Sequence, residues 1–222
     1  MKRQVLVIAM ALLLSIGAMA QGKLQFKAFD GTITGGVKFA MNLSHFWGGT
    51  FPHGFRNGGQ VGVFAEYRSN KPELSKWSIS PELVFSSQGG KFKISDAISH
   101  LLDEKFEFHG LLAALDKELI ITSNYINVPI MLKYRLTPYF SVEAGPQIGF
   151  NVYNKVRVDG LDPKLNLSDV SHTVDVGIGA GATYYLTDYV MFHVRYNMDF
   201  LNDYKHIDDK NGNIQIGASY RF

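Results

Sequence analysis

Apolar and polar side chains alternate residue by residue through eight separate stretches of this chain. A period of two marks a strand that shows one face to an apolar medium and the other to a polar one. The last stretch is the clearest: Ile214, Ile216, Ala218, Tyr220 and Phe222 share one face, and Asn213, Gln215, Gly217, Ser219 and Arg221 share the other. The same pattern predicts strands over Val190 to Phe200, Val174 to Leu186, Phe140 to Asn151 and Ile126 to Arg135. A looser version covers Trp77 to Ser86, Gln60 to Arg68 and Gly36 to Leu43.

The joins alternate in length. Thr137 with Pro138, Thr187 with Asp188, and the stretch from Ser69 to Ser75 make short turns. Ser44 to Gly58, Gly89 to Ser123, Tyr153 to His172 and Leu201 to Gly212 make long connections. Short periplasmic turns alternating with long extracellular loops are the habit of a barrel threaded through an outer membrane. A lipid-exposed backbone has to close on itself. The expected fold is therefore all-β, an eight-stranded antiparallel up-and-down transmembrane β-barrel. A secreted antiparallel sandwich is the alternative, with apolar parity facing a core and aromatics scattered.

Aromatic placement separates the two readings, because barrels carry ring-bearing side chains on the lipid face at both interfaces. Tyr67, Trp77, Tyr134, Phe140, Tyr184, Tyr220 and Phe222 sit at strand ends beside the short turns, and all have the apolar parity. Phe85, Phe150 and Phe200 are placed to form a second belt at the other ends.

An eight-stranded barrel has room inside only for side chains. The inward parity collects Lys38, Arg68, Lys133, Arg135, Arg195 and Arg221, with Glu66, Glu82, Glu143, Asp175 and Asp199 as counter-charges. His193, beside Arg195, has the same parity. Opposite charges in so narrow a space are expected to pair into a network that plugs the lumen.

The second long connection, between strands three and four, has its own pattern. Ile94, Ile98, Leu101 and Leu102, then Leu111, Leu112, Leu115 and Leu119, follow helical spacing. This predicts a long, part-helical extracellular loop over residues 93–120. It either packs over the barrel mouth or offers a surface to a partner or lipid.

The N-terminus adds an address. Lys2 and Arg3 precede an apolar run from Val5 to Ile16, and Gly17 to Ala20 supply small residues at the −3 and −1 positions. Residues 1–20 are expected to be a cleaved signal peptide, with an uncleaved anchor as the alternative. Residues 21–30 then form an N-terminal periplasmic extension and 31–222 the barrel domain. The full chain of 222 residues carries 22 Lys plus Arg against 20 Asp plus Glu, so loss of Lys2 and Arg3 leaves the mature charge balanced. No later run of 18 apolar residues offers a spanning helix. The absence of Cys excludes disulfide staples, thiolate metal sites, a cysteine nucleophile and a lipobox. A balanced charge argues against a nucleic-acid partner.

The blocks Gly35 to Leu43 (GGVKFAMNL), Gly59 to Tyr67 (GQVGVFAEY), Pro81 to Gly90 (PELVFSSQGG), Tyr125 to Tyr134 (YINVPIMLKY), Val142 to Phe150 (VEAGPQIGF) and Gly217 to Phe222 (GASYRF) resemble the PorT-like outer-membrane β-barrel family, often labelled porin-like. The resemblance covers nearly the whole mature chain and is most specific at the Ile-x-Val-Pro strand around Pro129 and the Ala-Gly-Pro-Gln block at 144–147. It implies an outer-membrane barrel, and by the family's founding member a link to protein secretion across that membrane. The chain is also similar to outer-membrane proteins in ending on an alternating strand with a terminal Phe222, the signal read by the assembly machinery.

Catalysis finds little support. His45, His53, His100, His109, His172 and His206 fall in the predicted loops, yet none has an H-x-x-x-H spacing and no Gly-x-Ser-x-Gly elbow occurs. The expectation is a non-enzymatic protein without cofactor or metal, in the outer membrane of a Gram-negative bacterium with both termini periplasmic. Its partners are outer-membrane lipid, the assembly machinery through the C-terminal strand, and an envelope or extracellular protein at the loops. The competing expectation is a narrow porin or transporter for small solutes.

Overall fold

The computed structural model describes residues 25–28, 31–47, 54–93, 118–158, 174–204 and 207–222. Nine strands occur among them: β1 (Gln25–Ala28), β2 (Gly31–Trp47), β3 (Arg56–Ser69), β4 (Trp77–Lys93), β5 (Glu118–Thr137), β6 (Phe140–Val158), β7 (Val174–Tyr185), β8 (Val190–Tyr204) and β9 (Ile207–Arg221). Each pairs antiparallel with the next in the chain. β9 returns to β2 in a register running from Gly36 opposite Arg221 to Trp47 opposite Lys210. The Phe222 N–H extends that seam by donating to the Gly35 carbonyl (2.9 Å). Strands β2 to β9 thus make a closed eight-stranded up-and-down barrel.

The barrel is inside-out relative to a soluble domain. Outward positions such as Phe39, Leu83, Leu132, Ile178, Val194 and Ile216 are exposed, whereas the inward set is buried and polar. This follows from the period-two alternation, since successive Cβ atoms leave opposite faces of the sheet.

The three short turns share one device. Ser69 Oγ accepts from the Lys71 N–H (3.2 Å), and Thr137 Oγ1 accepts from the Tyr139 N–H (3.3 Å). Thr187 Oγ1 takes both the Tyr189 and the Val190 N–H (3.2 and 2.9 Å). A hydroxyl at the strand end, or two residues past it for Thr187, occupies backbone donors that the turn leaves unpaired. In the longest of these turns one 3-10 turn, Pro72–Leu74, is also fixed by the Ser75 hydroxyl donating to the Pro72 carbonyl (2.9 Å).

The strands at the other end are longer than the alternation predicts. β4 runs to Lys93, β5 begins at Glu118, β6 runs to Val158, and β8 and β9 reach Tyr204 and Ile207. The predicted long connections are shortened accordingly. Leu119, assigned to the helical pattern, lies in β5 opposite Val158. Its neighbours Ile120, Ile121 and Thr122 are β-branched, and the cross-strand partners Val156 and Val158 favour the pleated sheet over a helix. The rest of the predicted helical loop, residues 94–117, lies outside the described residues, as does the signal segment 1–20.

β1 is an element that the alternation does not predict. Its register, Gln25 opposite Thr34 to Ala28 opposite Gly31, takes up the edge of β2 at the point where β9 has ended. The other edge of the same β2 residues is held by β3. β1 therefore continues the line of β9 and covers backbone groups that would otherwise form an open edge.

Closure depends on close approach at Gly217, where a Cβ would collide with the Phe39 carbonyl and come within 2.5 Å of the Ala40 Cβ. Gly217→Val is expected to stop the β9–β2 seam from forming. The check is gel mobility of the outer-membrane fraction: the wild type should migrate differently before and after boiling, and the variant should not.

Candidate functional site: the charged lumen

The inward positions near the short turns converge on three carboxylates. Glu66 (β3) receives the Arg68 Nη2 at Oε1 and the Arg221 Nη2 at Oε2, both at 2.8 Å, with Lys133 Nζ at 3.8 Å. Glu82 (β4) receives Lys38 Nζ (2.7 Å) and a two-pronged contact from Arg195, Nη1 to Oε2 (2.9 Å) and Nη2 to Oε1 (2.8 Å). Glu143 (β6) takes Arg195 Nε (2.8 Å) and Nη2 (2.6 Å), with Lys133 Nζ at 3.5 Å. One connected network results, with Lys133 linking Glu66 to Glu143 and Arg195 linking Glu143 to Glu82.

Arg195 is central because its planar guanidinium makes two close contacts to each of two carboxylates on different strands, whereas Lys133 reaches its two carboxylates only at 3.5 and 3.8 Å. Room for it comes from β7, where a Cβ on Gly181, the residue opposite, would lie 2.9 Å from the Arg195 Cα. All three glutamates and Arg195 are buried. Phe64, Met131, Tyr185 and Met191 are buried lumen residues too, and they pack beneath the charges. Around the network, between Lys38, Glu82, Arg195 and His193, the remaining cavity measures about 10 Å³, roughly the space of one water molecule.

Of the predicted lumen set, Lys38, Glu66, Arg68, Glu82, Lys133, Glu143, Arg195 and Arg221 are thus brought together. Arg135 has no carboxylate partner among the described residues and instead lies over the Tyr185 ring, 4.4 Å from its centre. His193 is buried with Nδ1 3.2 Å from the Ser219 hydroxyl. Asp175 and Asp199 stand further toward the long connections, opposite Gly149 and Gly177. That half of the lumen also holds neutral pairs. Asn42 donates to Ser86 Oγ (2.8 Å), Gln60 to Gln215 Oε1 (3.0 Å), and Gln88 to Ser86 Oγ (2.9 Å). The lumen is therefore layered, with the ion-pair network toward the short turns and amides, hydroxyls and the two aspartates toward the other end. The signal for the amide layer was present, because these residues share the inward parity of the charges.

On the outer face the aromatics gather at the short-turn rim. The Trp77 and Tyr134 rings lie 4.7 Å apart, and Tyr220 lies 5.8 Å from Phe222 and 6.3 Å from Tyr189. Phe140 and Tyr184 face each other across β6 and β7, with Phe192 beyond them on β8. Tyr67 is half-buried on the same parity. Tyr139 and Tyr189, turn residues without strand parity, join this rim as exposed rings. At the far end Phe85, Phe150 and Phe200 are exposed. His45, assigned to a loop, lies in β2 and packs against Phe55 and Tyr196, with ring centres 5.2 and 6.2 Å away. β2 continues four residues past Leu43, where the pattern of Val37 to Leu43 ends. The other five loop histidines lie outside the described residues.

Removing one member of a buried charge network leaves its partners uncompensated. Arg195→Met is expected to destabilise the barrel by about 3–5 kcal/mol, read from the urea midpoint of refolded protein in lipid vesicles. The combination E82Q/E143Q/R195M should regain part of that loss. A triple variant weaker than R195M would show that the network does not act as a coupled unit.

A family model described as "Outer membrane protein beta-barrel domain" matches residues 19–204. Comparison with curated proteins returns no match. Among solved structures, Neisserial surface protein A is 13% identical with a TM-score of 0.50, covering 85% of this chain and 97% of its own. Ail of Yersinia pestis is 16% identical with a TM-score of 0.47 over 87% of this chain and 100% of its own. The N-terminal β-barrel domain of Pseudomonas aeruginosa OprF is 13% identical with a TM-score of 0.38, over 84% and 97%. At these identities the likeness is one of fold. The family match spans most of the sequence and the closed barrel agrees with it, so the chain belongs to the outer membrane protein β-barrel domain family and is a β-barrel protein of the Gram-negative outer membrane.

Proposed function

We propose that this protein is a non-enzymatic envelope barrel with a plugged lumen, which works through the segments at its long-connection end. The observation that carries this reading is the cavity of about 10 Å³ at the charge layer. A hydrated solute is far larger than one water molecule, and opening a wider path requires breaking ion pairs at Glu82 and Glu143 together. With no path through the barrel, the surface left for function is the rim and what it holds outward. We place the short turns in the periplasm, together with both termini after removal of residues 1–20, and the long connections outside the cell. The aromatic rim at the short turns then marks the periplasmic interface of the outer membrane.

The resemblance to the PorT-like family supports a finer assignment, an accessory of protein secretion across the outer membrane that holds an envelope or extracellular protein. Assembly through the C-terminal strand fits the exposed Tyr220 and the terminal Phe222 on the outer face of β9.

Purified barrel in a planar bilayer is expected to give no stable conductance. Reproducible single-channel steps would replace this reading with that of a narrow porin. Cross-linking in intact envelopes followed by pull-down should recover a protein partner, and recovery should fall when the connection 94–117 is replaced by a short glycine–serine linker. Undiminished recovery would move the partner surface off that connection.

A further inference from the structure

The mouth of the barrel at the short turns is not plugged. A cavity of about 350 Å³ opens there, with the carboxylate of Glu66 between the guanidinium groups of Arg68 and Arg221 at its floor. Its volume falls in the range of small-molecule sites. Glu66 is already occupied, since both of its oxygens accept from arginine and Lys133 stands 3.8 Å away. The arginines are not exhausted by it. Each commits only its Nη2 to Glu66, and Arg68 keeps a side chain 31% exposed to the cavity and solvent.

The remaining wall is rich in donors, with the hydroxyls of Thr32 and Thr34 and the amide of Asn70 lining the same space. One further cation stands close by: Arg135 shares the Tyr185 ring with Arg221, at 4.4 and 5.7 Å, and has no carboxylate of its own among the described residues. Against these stands Asp188 at the rim. Two arginines at the floor thus flank one glutamate that is fully engaged, and the opposing charge of Asp188 lies at the exposed turn, where water screens it.

The geometry points to this mouth as a binding site for a phosphate or carboxylate group, held chiefly by Arg68 with Arg221 behind it. A forked guanidinium matches the paired oxygens of either anion, and the threonine and asparagine donors supply further hydrogen bonds. The site lies at the short-turn edge of the charge network and does not depend on whether the lumen conducts. Two sources can present such a group at this depth, a free solute or a lipid headgroup, and they are separable by experiment.

The test is calorimetric titration of the whole refolded barrel, in a micelle lacking phosphate, with inorganic phosphate and with succinate at ionic strength held constant by chloride. Saturable binding is expected for both. Arg68→Ala should weaken it about tenfold or more, the loss of one charge-assisted contact. Asp188→Asn, an exposed turn position, should tighten it, because a negative charge leaves the rim. These opposite directions cannot both come from damage to the fold, which gel mobility checks separately. Competition by dispersed phosphatidylglycerol assigns the bound group to a headgroup, and its failure assigns it to a solute. No binding beyond chloride, or equal binding in wild type, R68A and D188N, overturns the proposal.

Discussion

Every backbone N–H and carbonyl in the lipid-facing wall has to find its partner within the sheet, because the hydrocarbon supplies none. The closed seam between β2 and β9 answers that constraint, and the rest of the structure follows from it. With the sheet closed, one side-chain face is committed to lipid and the other to a tube too narrow for bulk water. Polar residues that would lie on the surface of a soluble protein are forced together on the axis.

What they do there is set by chemistry along the axis. Toward the short turns glutamate meets arginine and lysine, and three carboxylates are bracketed by five cations in one network. Toward the long connections, amides and hydroxyls bond to one another without formal charge. A buried pair contributes little net stability when its desolvation is counted, yet it makes the loss of either member severe. The charge layer therefore acts as a specifier of strand order: Arg195 meets both Glu82 and Glu143 only if β4, β6 and β8 surround the same axis. The open mouth beside Glu66 shows the other consequence of layering, since Arg68 and Arg221 each commit only Nη2 to that carboxylate.

Much of the architecture is legible in the primary structure. Eight alternating stretches correspond to β2 through β9, their inward and outward faces agree with burial, and the short turns fall where Ser69, Thr137 and Thr187 begin them. The strand ends beyond the membrane were less visible. Leu119 fits a helical spacing with the leucines before it, and only the facing Val158 makes it a strand residue. His45 looked like a loop histidine because Trp47 and the glycines after it break the alternation, although β2 carries the pattern past it. β1 has no apolar signature strong enough to announce it, and its pairing exists because β9 stops short of the start of β2.

The sequence by itself determined the number of barrel strands, the face each side chain takes and the location of the tight turns. Those are local properties, set by the alternation of Cβ directions and by turn chemistry over a few residues. Tertiary structure alone decided which charges meet. Glu66 and Arg221 are 155 residues apart and Glu82 and Arg195 are 113 apart, so their contact depends on closure and on the stagger of every strand between them. Parity tells a residue to point inward. Only the stagger of the closed sheet tells it how high on the axis it stands, and therefore whether it lies in the ion-pair network, among the amides or at the open mouth.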